Sequence, residues 1–334
     1  MSRSGAFALG AVLDENWHVR ISICPLVRGA WAQPGKKSRF MSIFRRANAR
    51  GTVIDAVDHA ARSLVDTMHY ELMPTDRVGD QIALLPAART VSVTCSPKKG
   101  IDPTMGVSAR LLEVGHNPIP HFAARMVESP AHFRRMCAWI ESTGIRQVFV
   151  IGGDAELDPA RPYADATALI ADLARAKVGI QTIGSAAYPD GHAAIPSDVL
   201  KNELIVRQGL LADAGISGWL STQMCFDAEL LVNWLEATRI DGITTPVHLG
   251  IPGALDSTKL LTMGMRLGIG ASLRYLSKNK SSVSRLVSPG GYDPMELLSE
   301  VAPVAEELGI AALHVFTFNQ VAATNAWREK VLAS

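Results

Sequence analysis

Side chains that could carry out chemistry recur where short apolar segments of this chain end. They comprise acids, hydroxyls, rings and an amide, and they are Glu71, Thr94, His121, Asp154, Tyr188, His192, Gln223 and Phe316. Acids and imidazoles can transfer protons, and the other groups can hold a polar, flat ligand. The question raised by the sequence is which fold would bring these segment ends together.

Glu71 is the strongest candidate for proton transfer. It lies within the apolar segment 68–73, which Pro74 closes. A carboxyl group at such a place is partly desolvated, and desolvation favours its protonated form, so that it can serve as a general acid. The alternative is an ordinary strand-end acid paired with a nearby arginine or lysine.

Two turns could approach a ligand closely. Gly152 and Gly153 precede Asp154, and glycines allow close backbone approach, although an ordinary glycine turn with an Asx cap fits equally well. Tyr188 and His192 flank a Pro-Asp-Gly sequence that could stack on a heterocycle and contact phosphate. The alternative there is a surface β-turn, because Pro-Asp-Gly favours turns by itself.

Other reactive residue types give no pattern. His116 and His121 are five residues apart without further ligands at regular spacing, so we expect no metal site. Cys95 and Cys225 have no adjacent cation and are expected to be small buried residues. No GxSxG sequence supports a serine hydrolase.

Composition narrows the class of protein. The 334 residues are 48% hydrophobic and 19% charged, with a net charge of +1, which favours a folded enzyme and does not favour nucleic-acid binding. Four scattered cysteines suggest a reduced, cytoplasmic protein, and no apolar run approaches the ~20 residues of a membrane span. The sequence leaves the oligomeric state open, a homo-oligomer included. Residues 1–40 are expected to be a poorly ordered N-terminal extension, and residues 41–334 a single catalytic domain.

Strand and helix patterns alternate along the chain. The predicted strands are 67–73, 90–94, 117–122, 147–151, 179–183, 218–222, 245–250 and 312–316. The predicted helices are 53–65, 108–114, 130–142, 163–177, 197–213, 228–238, 256–267, 271–286 and 294–308. Eight such units predict a (β/α)8 TIM barrel, whose active site lies at the carboxyl ends of the strands.

Ten short pieces, in this order, resemble methylenetetrahydrofolate reductase over about residues 66–320. The pieces are Tyr70-Glu71 with Pro74, Val91-Ser92-Val93-Thr94, Pro120-His121, Gly153-Asp154, Tyr163-Ala164, Ala187-Tyr188-Pro189-Asp190-Gly191-His192, Asp213-Ala214-Gly215, Thr222-Gln223 with Phe226-Asp227, Ile251-Pro252-Gly253 and Phe316-Thr317-Phe318-Asn319. The resemblance implies a (β/α)8 barrel that uses FAD and NADH or NADPH to reduce 5,10-methylenetetrahydrofolate to 5-methyltetrahydrofolate in one-carbon and methionine metabolism.

The resemblance also implies roles for individual residues. Glu71 matches the general acid, Asp154 an acid between flavin and pterin, and Gln223 a folate-contacting amide, with Phe316 beside the substrate. The positions that match flavin-binding residues are Thr94, His121, Gly153, Asp154, Tyr163, Ala164, Tyr188 and His192.

The chain departs from the family pattern at the expected FAD diphosphate. Leu210 and Leu211 stand where the family has basic residues, and Arg207 or Lys201 are the candidate replacements. Some family members lack parts of the flavin site and are thought to take hydride directly from the nicotinamide. Two further alternatives are a folate-dependent methyltransferase or demethylase and a non-catalytic folate-binding barrel.

Overall fold

Eight parallel strands form a closed barrel. The computed structural model describes residues 51–96, 98–254 and 293–334, with side chains from residue 59 onward. The strands are β1 His69–Leu72, β2 Thr90–Val93, β3 Asn117–Ala123, β4 Gln147–Ile151, β5 Thr182–Ala187, β6 Ser217–Thr222, β7 Val247–Pro252 and β8 Ile310–Phe316. Each pairs in parallel with the next, and β8 pairs with β1. The predicted (β/α)8 barrel is therefore confirmed.

Helices surround this sheet. Among the described residues they are α1 Gly51–Asp66, α2 Val78–Ile82, α3 Asp102–Glu113, α4 Pro130–Thr143, α5 Ala166–Ala176, α6 Ser197–Asp213, α7 Ala228–Ile240, α8 Met295–Val301 and α9 Val321–Ala333. The predicted helices at 256–267 and 271–286 and the predicted extension at 1–40 lie outside the described residues. The domain boundary at residue 41 stays a prediction.

Alternate side chains of the strands enter two different cores. Val148 and Val150 of β4 point outward and pack in one cluster with Leu169 and Ile170 of α5. Phe149, between them, points inward and packs with residues of β3 and β6. Period-two alternation therefore divides each strand between the helix layer and the barrel interior.

Gly184 of β5 makes room for the largest inward side chains. A Cβ atom at this position would lie 2.2 Å from the Trp219 ring and 2.6 Å from the Phe149 ring. Because the interior of an eight-stranded barrel is filled by side chains, large residues on β4 and β6 require a minimal residue between them. The small-residue run of β5 is therefore a packing requirement.

Several predicted boundaries are corrected by the structure. Strand β5 continues to Ala187, whereas 179–183 was predicted, because its Gly and Ala residues lack the β-branched pattern. Helix α3 begins at Asp102 rather than 108, with Pro103 in its first turn, where proline is tolerated. Helix α8 ends at Val301, and a 3₁₀ turn over residues 302–304, which contains Pro303, followed by turns over residues 305–308, stands in place of the rest of the predicted helix 294–308. Helices α2 and α9 were not predicted.

The predicted start of α4 at Pro130 is confirmed, and the helix runs to Thr143, one residue beyond the predicted end. Ser129 caps the helix by accepting a hydrogen bond of 3.2 Å from the His132 N–H, and Pro130 occupies the first turn. The helix stops at Gly144, whose φ of 69° is the left-handed conformation that glycine tolerates.

No helix in the described part of the chain combines the length and the apolar character needed to cross a bilayer. The cytoplasmic location and the oligomeric state stay predictions.

Candidate active site at the carboxyl ends of the strands

Glu71 and His314 form a pair inside the mouth of the barrel. Glu71 is on β1 and His314 on β8, and barrel closure places Glu71 beside Phe316, two residues beyond His314. The Glu71 Oε2 lies 2.9 Å from the His314 Nε2, and the two side chains are 12% and 4% exposed. The Thr317 hydroxyl donates a hydrogen bond to the Glu71 backbone carbonyl, which joins the two strand ends. The Glu71 carboxyl is therefore held in one orientation and is largely buried, but it is still partly exposed to a ligand at the mouth of the barrel.

Three further histidines occupy the barrel interior. Burial lowers the pKa of His69 to about 4 and that of His248 to about 2, with smaller contributions from neighbouring imidazoles. Burial, with His314 as the second cause, also holds the pKa of His121 well below its usual range. His69 and His248 meet edge to face, with ring centroids 4.9 Å apart. At neutral pH these three rings are uncharged, because a charged imidazole would lose its hydration.

The loops after β4 and β5 bring four of the predicted residues together. Burial raises the pKa of the Tyr188 phenol, and Arg207 lowers it. The exposed Asp154 carboxylate raises it further, which indicates that Asp154 lies near Tyr188. The His192 ring meets Tyr188 edge to face at 4.9 Å. Gly153 has a φ of 88°, and a Cβ atom there would lie 2.9 Å from the Ala123 Cβ. This turn therefore needs glycine for its conformation and for its packing.

Gln223 is tied to the neighbouring loop by its backbone. Its N–H donates to the Ala187 carbonyl at 2.8 Å, and its side-chain Oε1 accepts from the Met224 N–H at 3.0 Å. Asp227, which belongs to the same motif, accepts a hydrogen bond of 3.0 Å from the Leu230 N–H and caps α7. The segment from Gln223 to Asp227 therefore combines a half-buried amide side chain with the N-cap of helix α7.

The other predicted flavin residues have different surroundings. Thr94 joins β1 to β2 through its N–H, which donates to the Leu72 carbonyl at 2.9 Å. The Tyr163 hydroxyl donates to Asp172 at 2.8 Å, and its ring packs near Phe133 in the helix layer. The Ala164 carbonyl accepts from the Arg125 guanidinium at 2.8 Å. A flavin contact by Tyr163 stays a prediction, and its hydroxyl could only accept a hydrogen bond while it donates to Asp172.

A comparison with known families decides the identity of the barrel. The sequence profile of the family described as methylenetetrahydrofolate reductase matches residues 81–267, more than half of the chain. The chain belongs to this family. Membership in the methylenetetrahydrofolate reductase family supports a folate-related oxidoreductase in general.

Solved structures add little to this. A family 18 chitinase from Crocus vernus is 8% identical, with a TM-score of 0.44, over 80% of this chain and 98% of its own. A conserved protein of unknown function from Enterococcus faecalis is 12% identical, with a TM-score of 0.35, over 57% of this chain and 50% of its own. Neither likeness bears on function.

Members of the methylenetetrahydrofolate reductase family generally use FAD, and cationic side chains strengthen the binding of a diphosphate by charge-assisted hydrogen bonds. Leu211, at a position of expected basic character, is buried in the outer core, and Leu210 packs against that core. Lys201 is 2.5 Å from Asp241. Arg207 is 3.0 Å from Glu203 and donates to the Thr167 hydroxyl at 2.8 Å. Both candidate cations therefore have carboxylate partners, and this stretch of α6 does not fit a diphosphate.

His314 is the residue that sequence reasoning missed. It lies 243 positions from Glu71 in the chain, so no local pattern connects them. Two observations could have indicated it: His314 and Phe316 share a strand face by period-two alternation, and a closed barrel makes β8 the neighbour of β1. His69 and His248 are inward-facing by the same reasoning.

Proposed function

We propose that this chain reduces the one-carbon unit of 5,10-methylenetetrahydrofolate to the methyl group of 5-methyltetrahydrofolate, with NAD(P)H as the reductant. Glu71 is the general acid of this proposal. The observation that carries it is the Glu71–His314 pair, a carboxyl group that is 12% exposed and lies 2.9 Å from an imidazole at the mouth of the barrel. A carboxyl group held at the mouth of the barrel, within reach of a bound substrate, is placed to act as a general acid.

The reaction needs one proton and one hydride for each substrate molecule. The proton goes to N10 of the folate as the bond between N10 and the bridging carbon breaks, which leaves an iminium at N5. NAD(P)H supplies the hydride that converts this iminium to the methyl group. Glu71 supplies the proton, and His314 keeps the Glu71 carboxyl in one orientation, so that little reorganisation is needed during the transfer.

Binding of the pterin is assigned to the polar and aromatic residues around this acid. A carboxylate at Asp154 and an amide at Gln223 suit the amino and ring N–H groups of a pterin. The Phe316 ring meets His314 edge to face at 4.9 Å and stacks with Phe318 at 6.4 Å, which offers an apolar wall near Glu71. Because α6 does not fit the FAD diphosphate, the proposal assigns hydride donation to NAD(P)H and includes no step on a flavin.

The test is a comparison of Glu71→Gln with Glu141→Gln, which changes an exposed carboxylate on α4 in the same way. NAD(P)H oxidation and 5-methyltetrahydrofolate formation are measured together. Loss of a general acid lowers a rate by about 100- to 10,000-fold, so we expect that loss in the Glu71 variant and none in the control. Equal turnover of the two variants would remove Glu71 from the mechanism. Methyl transfer without NAD(P)H oxidation would favour the methyltransferase alternative, and folate binding without turnover would favour a non-catalytic barrel.

A further inference from the structure

Three potential metal ligands meet where β1, β3 and β8 reach the mouth of the barrel. One ligand atom each from Glu71, His121 and His314 lies within 4.8 Å of the other two. The Glu71 Oε2 and the His314 Nε2 are 2.9 Å apart. Residues 71, 121 and 314 show no ligand spacing in the sequence, so only barrel closure brings them together.

His121 provides a second, independent observation. Its side chain is 4% exposed, and its Nε2 has no hydrogen-bond partner among the described residues. A buried polar atom is normally satisfied by a protein group, a water molecule or an ion. A histidine ring nitrogen that lacks a hydrogen-bond partner is available as a metal ligand.

We propose that Glu71, His121 and His314 bind a divalent transition-metal ion of the Zn²⁺ type. Two imidazole nitrogens and one carboxylate oxygen are a usual protein ligand set for zinc, and they leave a fourth position for water or another ligand. The spacing of His116 and His121 predicted no metal site. The proposed ligands instead come from three strands that are far apart in the sequence, β1, β3 and β8.

Binding requires a small inward movement. Bonds of about 2.1 Å in a tetrahedral site place ligand atoms roughly 3.4 Å apart. The Glu71–His314 pair is already closer than this, and the widest separation in the cluster is 4.8 Å at most. A shift of up to about 1.4 Å by the His121 ring, together with rotation of the Glu71 carboxylate, completes the geometry.

Metal and proton compete for the same Glu71 oxygen atoms. If Glu71 is the general acid, a point that rests on the proposed function, a bound metal prevents protonation of the folate and inhibits reduction. Metal binding itself does not depend on that function. The two claims can therefore be tested separately.

Binding is measured by titrating EDTA-treated protein with Zn²⁺ in a calorimeter, without folate or nucleotide, and with Co²⁺ by visible absorption. We expect one equivalent bound by the wild type and at least a tenfold weaker affinity in His121→Ala and in Glu71→Gln, since each removes one ligand. The second variant conserves volume, and circular dichroism verifies that both are folded.

Two histidine variants are the matched controls. His116→Ala removes a ring whose Nδ1 accepts a hydrogen bond of 3.2 Å from the Arg89 N–H, outside the cluster. His132→Ala removes an imidazole that is 3.6 Å from Asp102 and 4.0 Å from Glu128, a second place where a histidine lies beside carboxylates. Both should bind Zn²⁺ as the wild type does. Absence of saturable binding in the wild type, unchanged affinity in His121→Ala, or loss of binding in His132→Ala would overturn the proposal. Confirmed metal binding without inhibition of reduction would instead count against Glu71 as the acid.

Discussion

Neutral histidines inside the barrel should make the protein sensitive to mild acid. The pKa of His248 falls from its ordinary 6.5 to about 2 in the folded protein, and that of His69 falls from 6.5 to about 4. Below pH 6.5 the unfolded chain takes up protons at these rings, and the folded protein does not until pH 4 or lower. Stability is therefore retained above pH 6.5 and lost as the pH decreases towards 4.

The magnitude follows from the linkage of protonation to folding. Each additional proton bound by the unfolded state changes the free energy of unfolding by about 1.4 kcal/mol per pH unit. In the unfolded chain the imidazole is only partly charged at pH 6. Between pH 6 and pH 4.5, His248 alone therefore lowers the free energy of unfolding by about 2 kcal/mol. His69 contributes a similar amount over the same interval, because its folded pKa of about 4 lies below it.

Urea unfolding across this pH interval, followed by circular dichroism, measures the effect. The variant His248→Gln cannot take up a proton at this position, so its free energy of unfolding should decrease by about 2 kcal/mol less than that of the wild type. His59→Gln, which replaces an exposed histidine of α1, is the control and should parallel the wild type. The variants are compared by the slope of the free energy of unfolding against pH, so a loss of packing that is the same at every pH does not affect the comparison. Parallel wild-type and His248→Gln curves would refute the claim that this ring is buried in its neutral form.

Three further outcomes can be measured on the same protein. Gly184→Ala should lower the free energy of unfolding by about 1–3 kcal/mol, because its Cβ would lie 2.2 Å from the Trp219 ring. The control Gly209→Ala changes an open position in a helix and should raise the free energy of unfolding slightly. Equal effects of the two substitutions would contradict the packing argument. Asp227→Ala should cost about 1 kcal/mol in urea unfolding by leaving the Leu230 N–H without its cap, and Asp227→Asn should retain most of this stability. The purified protein should show little flavin absorbance and weak FAD binding in fluorescence titration; stoichiometric, tightly bound FAD would mean that α6 is not where the diphosphate binds.

The barrel could be predicted from the sequence because its evidence is local. Strand β4 was predicted with its observed limits, since an unbroken apolar segment between a glycine-ended helix and a Gly-Gly turn leaves little freedom. The predicted limits of strand β5 were shifted along the chain. Its small residues make room for Trp219 and Phe149 on the adjacent strands, and local strand propensity does not include such contacts. Helix α8 was too long in the prediction because the effect of Pro303 was overlooked.

The candidate site shows the same division. Glu71 was found by its position at the end of an apolar segment, and Asp154 by the two glycines before it. The partner of Glu71 was not found, because His314 reaches it only through the closing β8–β1 contact. The neutral state of His69 and His248 depends on burial by opposite strands, which is a property of the closed barrel and not of either segment.

The separation of Glu71 and His314 along the chain affects when the site is formed during synthesis. At about 5–20 residues per second, the 243 positions between them take roughly 12–50 seconds to translate. During this time the nascent chain carries the acid without the imidazole that orients it and without the strand that shields it. The Glu71–His314 pair can therefore form only when the last strand has left the ribosome, so under the proposed function enzymatic activity would report completion of the barrel itself.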